Sequence, residues 1–153
     1  MRLALYQPDM AQNLGAAIRI AACFDIPLEL IEPCGFALTD KALRRTAMDY
    51  GDHARIVRRA SFRAFMEAPE RDGRLVLLET DGSSRLHDFR FQPDDTLVLG
   101  RESAGSPPEL REAAAAIVRI PLAEGRRSLN VTVAAAVALA EALRQTGGFG
   151  RFP

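Results

Sequence analysis

The chain has 153 residues, 48% of them hydrophobic and 26% charged, with 20 basic side chains balanced by 20 acidic ones. That length suits one domain burying about two-thirds of its unfolded surface, and the balance of apolar and charged residues excludes fibrous, disordered and membrane-embedded classes. No apolar run approaches the ~18 residues of a membrane span, Met1 leads into strand-like sequence in place of a signal peptide, and a cytoplasmic protein with Cys23 and Cys34 reduced is expected.

Arg2 to Tyr6 (RLALY) reads as a first strand, ended by Gln7-Pro8-Asp9. From Asn13 the period becomes helical, with Leu14, Ala17, Ile18, Ala21 and Ala22 on one face and Arg19 beside it. Leu28 to Ile31 is a second strand, broken by Glu32-Pro33 and Gly35. Thr39 or Asp40 is expected to cap a helix carrying Lys41, Leu43, Arg44 and Arg45. Arg55 to Val57 suggests a short third strand, and Ser61 opens a helix with Phe62, Phe65 and Met66. The continuous apolar runs Leu75 to Leu78 and Thr96 to Leu99 are buried strands. Between them lie a Thr80-Asp81-Gly82 turn and a loop with His87.

Ser106-Pro107-Pro108-Glu109 combines an S-x-x-E capping box with proline in the first turn, so a helix is expected from there to about Ala115. Ile117 to Ile120 is a last strand. Pro121 and a polar loop with Gly125 follow, and then a long Ala-rich helix opening at Ser128, Leu129 and Asn130. Ala134, Ala135, Ala138, Leu139, Ala142 and Leu143 share one face of that helix, and their small size permits close packing. Gly147-Gly148 begins a flexible tail. Strands alternating with helices give an α/β domain with a mainly parallel sheet.

In open α/β folds ligands sit beyond the carboxyl ends of the strands. Three such ends carry glycine or small polar residues where backbone can approach a ligand: Leu78-Glu79-Thr80-Asp81-Gly82, Gly100 to Gly105, and Ile120-Pro121-Leu122 leading to Ser128-Leu129-Asn130. Gly100 to Gly105 has the spacing of a P-loop, but Ser106-Pro107 replaces its Lys-Ser/Thr, and no G-x-G-x-x-G follows the first strand. His53 and His87 stand alone, without triad or metal spacing. Lys41, Arg44, Arg45, Arg55, Arg58, Arg59 and Arg63 crowd one third of the chain, a local patch that can contact phosphates on a neutral molecule. Arg19 follows Asn13-Leu14-Gly15, and an Asn with a Gly at a helix start can offer backbone amides to phosphate. Glu102 lies at a strand end between two glycines.

Three segments together resemble the motifs of the SpoU branch of the SPOUT RNA methyltransferases. They are Asn13-x-Gly15-x-x-x-Arg19, then Leu99-Gly100-Arg101-Glu102-x-x-Gly105 with Pro107, then Ile120-Pro121 to Ser128-Leu129-Asn130-Val131. Each is weak alone; their order and spacing are specific. Ile31-Glu32-Pro33-Cys34-Gly35-Phe36 with Asp40-Lys41, Leu43-Arg44-Arg45 and Asp49-Tyr50 is similar to the small TrmL-like group. Two positions depart from the pattern. Ser106 stands where the second motif usually has Leu, and Thr132-Val133 replaces a Ser-Asn pair, which leaves the substrate nucleotide open.

The resemblance implies an α/β fold with a C-terminal deep trefoil knot at about residues 75–145, a single domain without a separate RNA-binding domain, and a homodimer. It implies S-adenosylmethionine as cofactor, held by Leu78, Thr80, Gly100, Glu102, Ile120, Leu122, Ser128, Leu129 and Asn130, with no metal. The implied reaction is methyl transfer to a tRNA ribose 2′-OH, at wobble nucleotide 34 in the TrmL-like group, with no DNA or membrane partner. Arg19 and Asn13 carry over as catalytic residues, and Lys41, Arg44 and Arg45 as contacts to RNA phosphates. Arginine stays charged in proteins, so Arg19 is expected to clamp a phosphate and stabilise the developing alkoxide while Asn13 orients it or the ribose. A ribosomal RNA ribose methyltransferase and a non-catalytic knot protein that binds RNA or cofactor are the alternatives.

Overall fold

The structure, a computed structural model, describes residues 1–39, 50, 53–70 and 72–153. The expected helix with Lys41, Leu43, Arg44 and Arg45 lies outside the described residues. In chain order the elements are β1 (Arg2–Tyr6), α1 (Ala11–Cys23), β2 (Leu28–Ile31), β3 (Ile56–Arg59), α2 (Phe62–Met66), β4 (Leu75–Leu78), β5 (Ser84–Arg85), β6 (Thr96–Leu99), α3 (Pro108–Ala113), β7 (Ala116–Arg119), α4 (Val131–Gln145) and a closing 3-10 turn (Gly148–Arg151).

The strands form one sheet in the order β3-β2-β1-β6-β4-β7-β5, and every pairing among them is parallel. Helices cover both faces, which is why β4 is apolar throughout and β2 and β6 are buried along their whole length, Glu29 and Thr96 included. Leu3, Leu5, Leu28, Leu30, Val76 and Leu97 pack towards α1 and α4. Ala4, Tyr6, Ile31, Leu75, Leu77 and Val98 pack with Phe65 of α2 and Leu110 of α3. The Tyr6 hydroxyl donates to Glu109 Oε1 at 2.6 Å, tying β1 to α3; burial first, and that bond second, push the phenol up to about 12.

Helix α4 begins later than its sequence suggests. Ser128 and Leu129 stay in the loop, and Asn130 is the N-cap, its Oδ1 accepting from the Thr132 N–H at 2.9 Å and from the Val133 N–H at 3.4 Å. Thr132, in place of Ala134, completes the buried face with Ala135, Ala138, Leu139, Ala142 and Leu143. The small side chains let this face lie against α1 and the sheet.

The capping box before α3 does not form. Pro107 is the N-cap, without a side-chain bond, and the helix ends at Ala113. The Ser106 hydroxyl is instead buried beside Gly100, with no hydrogen-bond partner, where a β-carbon on Gly100 would collide with it. The third strand runs to Arg59, and the two-residue β5 is an addition. The expected flexible tail docks: the Arg151 guanidinium donates to the Phe24 carbonyl at 2.6 Å, and Phe149 meets Phe24 edge-to-face at 6.0 Å.

Strand β7 sits between β4 and β5 although it follows both in the chain. The connection from β4 to β5 therefore crosses the end of β7. Gly82 lies on that crossing, packed directly on the Val118–Arg119 backbone, and no side chain fits there.

Candidate functional site

The strand ends of β4, β6 and β7 surround a cavity of about 360 Å³. Leu78, Thr80, Gly100, Glu102, Ile120, Leu122, Ser128, Leu129 and Asn130 all line it, together with Asn13, Met10, Glu79 and Arg101. Segments as far apart as Asn13 and Asn130, 117 residues distant in the chain, thus converge at one point. The parallel sheet does this by carrying all these carboxyl ends to one edge.

A chain of hydrogen bonds braces the wall. The Asn130 side chain caps α4 through Oδ1, so its Nδ2 faces outward and donates to Asn13 Oδ1 at 3.1 Å. Asn13 Nδ2 donates to Glu102 Oε1 at 3.0 Å, and Glu102 Oε2 accepts the Asp9 N–H at 2.7 Å. The orientation is self-consistent, because an ionised carboxylate only accepts and must face an amide nitrogen. Asn13 is only 8% exposed, and both ends of its amide are engaged. It ties two walls of the cavity together, Glu102 on one side and Asn130 on the other.

A second brace was not legible in the sequence. Asp9 Oδ1 accepts from Arg101 Nη2 at 2.7 Å and Nε at 3.2 Å, while Oδ2 accepts from Ser103 Oγ at 2.6 Å and the Ser103 N–H at 3.0 Å. These bonds, Arg101's first, hold the Asp9 carboxyl down at about 2. Arg101 and Gly105 pair backbone to backbone at 3.1 and 2.9 Å, and Gly105 adopts φ +67° to close the loop. Arg101 and Asp9 are 92 residues apart, so no local spacing could signal them. Only the placement of Arg101 between Gly100 and Glu102 hinted at a role.

Arg19 does not line the cavity. It lies nearly two turns of α1 beyond Asn13, ~240° round the helix, exposed, with its guanidinium 4.8 Å from the Tyr50 ring centroid. Three residues of the expected basic patch are paired with acids. Arg55 pairs with Asp25 at 3.3 Å, Arg58 with Glu32 at 3.0 Å, and Arg59 with Glu29 at 2.7 Å and Glu70 at 2.5 Å. Lys41, Arg44 and Arg45 lie outside the described residues. Among the described residues no group of three or more His, Cys, Asp or Glu side chains gathers as a metal site.

Residues 1–140 match the SpoU rRNA Methylase family. A protein from Ancylobacter novellus named tRNA (cytidine(34)-2'-O)-methyltransferase is 52% identical, over 99% of this chain and 96% of that protein. One of the same name from Escherichia coli K12 is 38% identical, over 96% and 94%. A solved structure described as giving structural insights into the 2-OH methylation of C/U34 on tRNA superposes with a TM-score of 0.87 at 40% identity, covering 94% of both chains. The SpoU methyltransferase AviRb from Streptomyces viridochromogenes, solved in complex with AdoMet, superposes at 0.83 with 26% identity, over 95% of this chain and 60% of that one. By its motifs, its parallel sheet and a family match across nearly its whole length, this chain belongs to the SpoU methylase family.

Proposed function

We propose that this protein transfers a methyl group from S-adenosylmethionine to the ribose 2′-OH of nucleotide 34 in a tRNA anticodon loop. The observation that carries the proposal is the convergence of the β4, β6 and β7 loops on one braced cavity in a chain whose relatives bear that activity in their names. The cavity suits the cofactor. Leu78, Leu99, Ile120, Leu122 and Leu129 give apolar walls for a flat base, Gly100 and Gly105 expose backbone, and Thr80 and Ser128 add hydroxyls.

Bound S-adenosylmethionine supplies an electrophilic sulfonium methyl group. The protein's own task is to hold a ribose hydroxyl, a poor nucleophile, in line with it and to stabilise the charge that forms as the proton leaves. Arg19 cannot act as the base, because guanidinium keeps its proton. In this proposal it clamps a phosphate beside the target ribose and stabilises the alkoxide, while the proton passes to a phosphate oxygen or water. Asn13 holds Glu102 and Asn130 in place.

Arg19 faces away from its own cavity, which supports a homodimer in which a second copy brings Arg19 to the site. The exposed Leu129, Val133, Val137 and Phe149 supply apolar surface for such a contact. We also propose a deep trefoil knot within residues 75–145 of a single domain. The insertion of β7 between β4 and β5, with Gly82 beneath it, supports that threading. Lys41, Arg44 and Arg45 remain proposed RNA contacts. Among the described residues no helix is long and apolar enough to cross a membrane, and the proposal places the enzyme with its substrate in the cytoplasm.

Purified protein incubated with unmodified tRNA transcripts and S-adenosylmethionine, followed by nuclease digestion and mass spectrometry, tests the proposal. A 2′-O-methyl group at nucleotide 34 is expected. Methylation of ribosomal RNA alone, or of no RNA, would overturn it.

A further inference from the structure

The loop from Pro121 to Asn130 is exposed at every residue. It turns through Gly125 at φ +74°, with the Arg126 N–H donating to the Ala123 carbonyl at 3.2 Å. Its two ends belong to the cavity, through Leu122 on one side and Ser128 and Leu129 on the other. Arg126 and Arg127 therefore stand at the cavity rim.

Their electrostatics differ from those of most arginines in the fold. Arg2, Arg55, Arg58, Arg59, Arg74, Arg85, Arg101, Arg111 and Arg144 each pair with a carboxylate. Among the described residues Arg126 and Arg127 have neither an ion pair nor a side-chain hydrogen bond, and Glu124, the loop's own acid, reaches neither. They also precede the first turn of α4, whose N-cap is Asn130. Two like charges at neighbouring positions repel, and an anion bound between them relieves that repulsion.

We propose that Arg126 and Arg127 are the rim clamp for the RNA backbone, contacting phosphates next to the ribose that enters the cavity. The inference rests on the proposed RNA substrate and adds residues to it that the sequence motifs do not single out. It also gives a molecule with no net charge a local basic site for a polyanion at the rim of the cavity.

The test compares wild-type protein with Arg126→Gln/Arg127→Gln and Arg126→Lys/Arg127→Lys, measuring tRNA binding against salt and S-adenosylmethionine binding by calorimetry. The Gln pair should weaken tRNA binding about tenfold or more and lower the salt slope by about one to two. The Lys pair should keep the slope, and cofactor affinity should stay at the wild-type value in both. Unchanged tRNA affinity and slope in the Gln pair would overturn the clamp. So would a loss confined to cofactor affinity, which would make the arginines part of the cofactor loop only. A wild-type protein that neither binds nor methylates tRNA would sink the proposed function itself, and the clamp with it, before any variant is read.

Discussion

Two acids lie inside this fold in opposite circumstances. Glu29, on β2, is fully buried and answered by two guanidinium groups, Arg2 at 3.2 Å and Arg59 at 2.7 Å. Glu102, at the end of β6, is half-buried and among the described residues accepts from neutral donors, the Asp9 N–H and the Asn13 amide. The nearest cation in sequence, Arg101, is turned to Asp9. A buried charge matched by opposite charge locks strands together, whereas one held by neutral dipoles keeps its field for whatever enters the cavity. The first acid belongs to the sheet and the second to the site.

The largest expected effect lies in neither network and separates holding from reacting. Arg19→Ala should lower turnover about 100-fold or more, the scale of losing a charge-stabilising donor, while calorimetry gives wild-type cofactor affinity; a parallel loss of affinity would merge the two roles. Glu29→Ala should destabilise the fold by about 3 kcal/mol, because Arg2 and Arg59 lose a buried partner. Urea unfolding reads this, and cofactor affinity below the transition should stay unchanged. Glu102→Gln should do the reverse, weakening the cofactor about tenfold with little change in unfolding midpoint, since one of its two acceptor atoms then confronts a donor. Equal behaviour of the two Glu variants would dissolve the comparison.

The smallest effect concerns Asp9. Its carboxyl is lowered in the fold from 3.8 to about 2, so its contribution is fully present above the unfolded value and fades as pH falls through the folded one. The stability difference between wild type and Asp9→Asn should therefore be constant above about pH 5 and vanish by about pH 1. A difference that persists in stronger acid would mean that Asp9 acts through shape alone.

The strand runs and most cavity residues were legible because the signal is local. Four-residue apolar runs announce strands buried on both faces, and glycines at strand ends mark the loops that form the cavity. What failed depended on distant partners. Arg55, Arg58 and Arg59 resemble a basic patch until Asp25, Glu32 and Glu29 arrive from the neighbouring part of the sheet. Ser106 and Glu109 had the spacing of a capping box, but Pro107 takes the cap, Ser106 packs beside Gly100 and Glu109 is engaged by Tyr6. Gly100 lines the cavity, and a β-carbon there would meet Gly105 and Ser106, so a side chain would push the loop as well as crowd the cavity.

The position of β7 also sets a timetable. Strand β5 has no sheet partner among the described strands except β7, and Leu122, Ser128, Leu129 and Asn130 all follow β7. A ribosome emits β4 and β5 with the gap between them still empty, and the strand that fills it comes in the last quarter of the chain. The growing polypeptide can build the β1–β2–β6 part of its sheet early, but its binding cavity closes only as synthesis ends. Premature termination before residue 116 therefore yields a chain without β7 or the loop from Ile120 to Asn130, and so without one wall of the cavity.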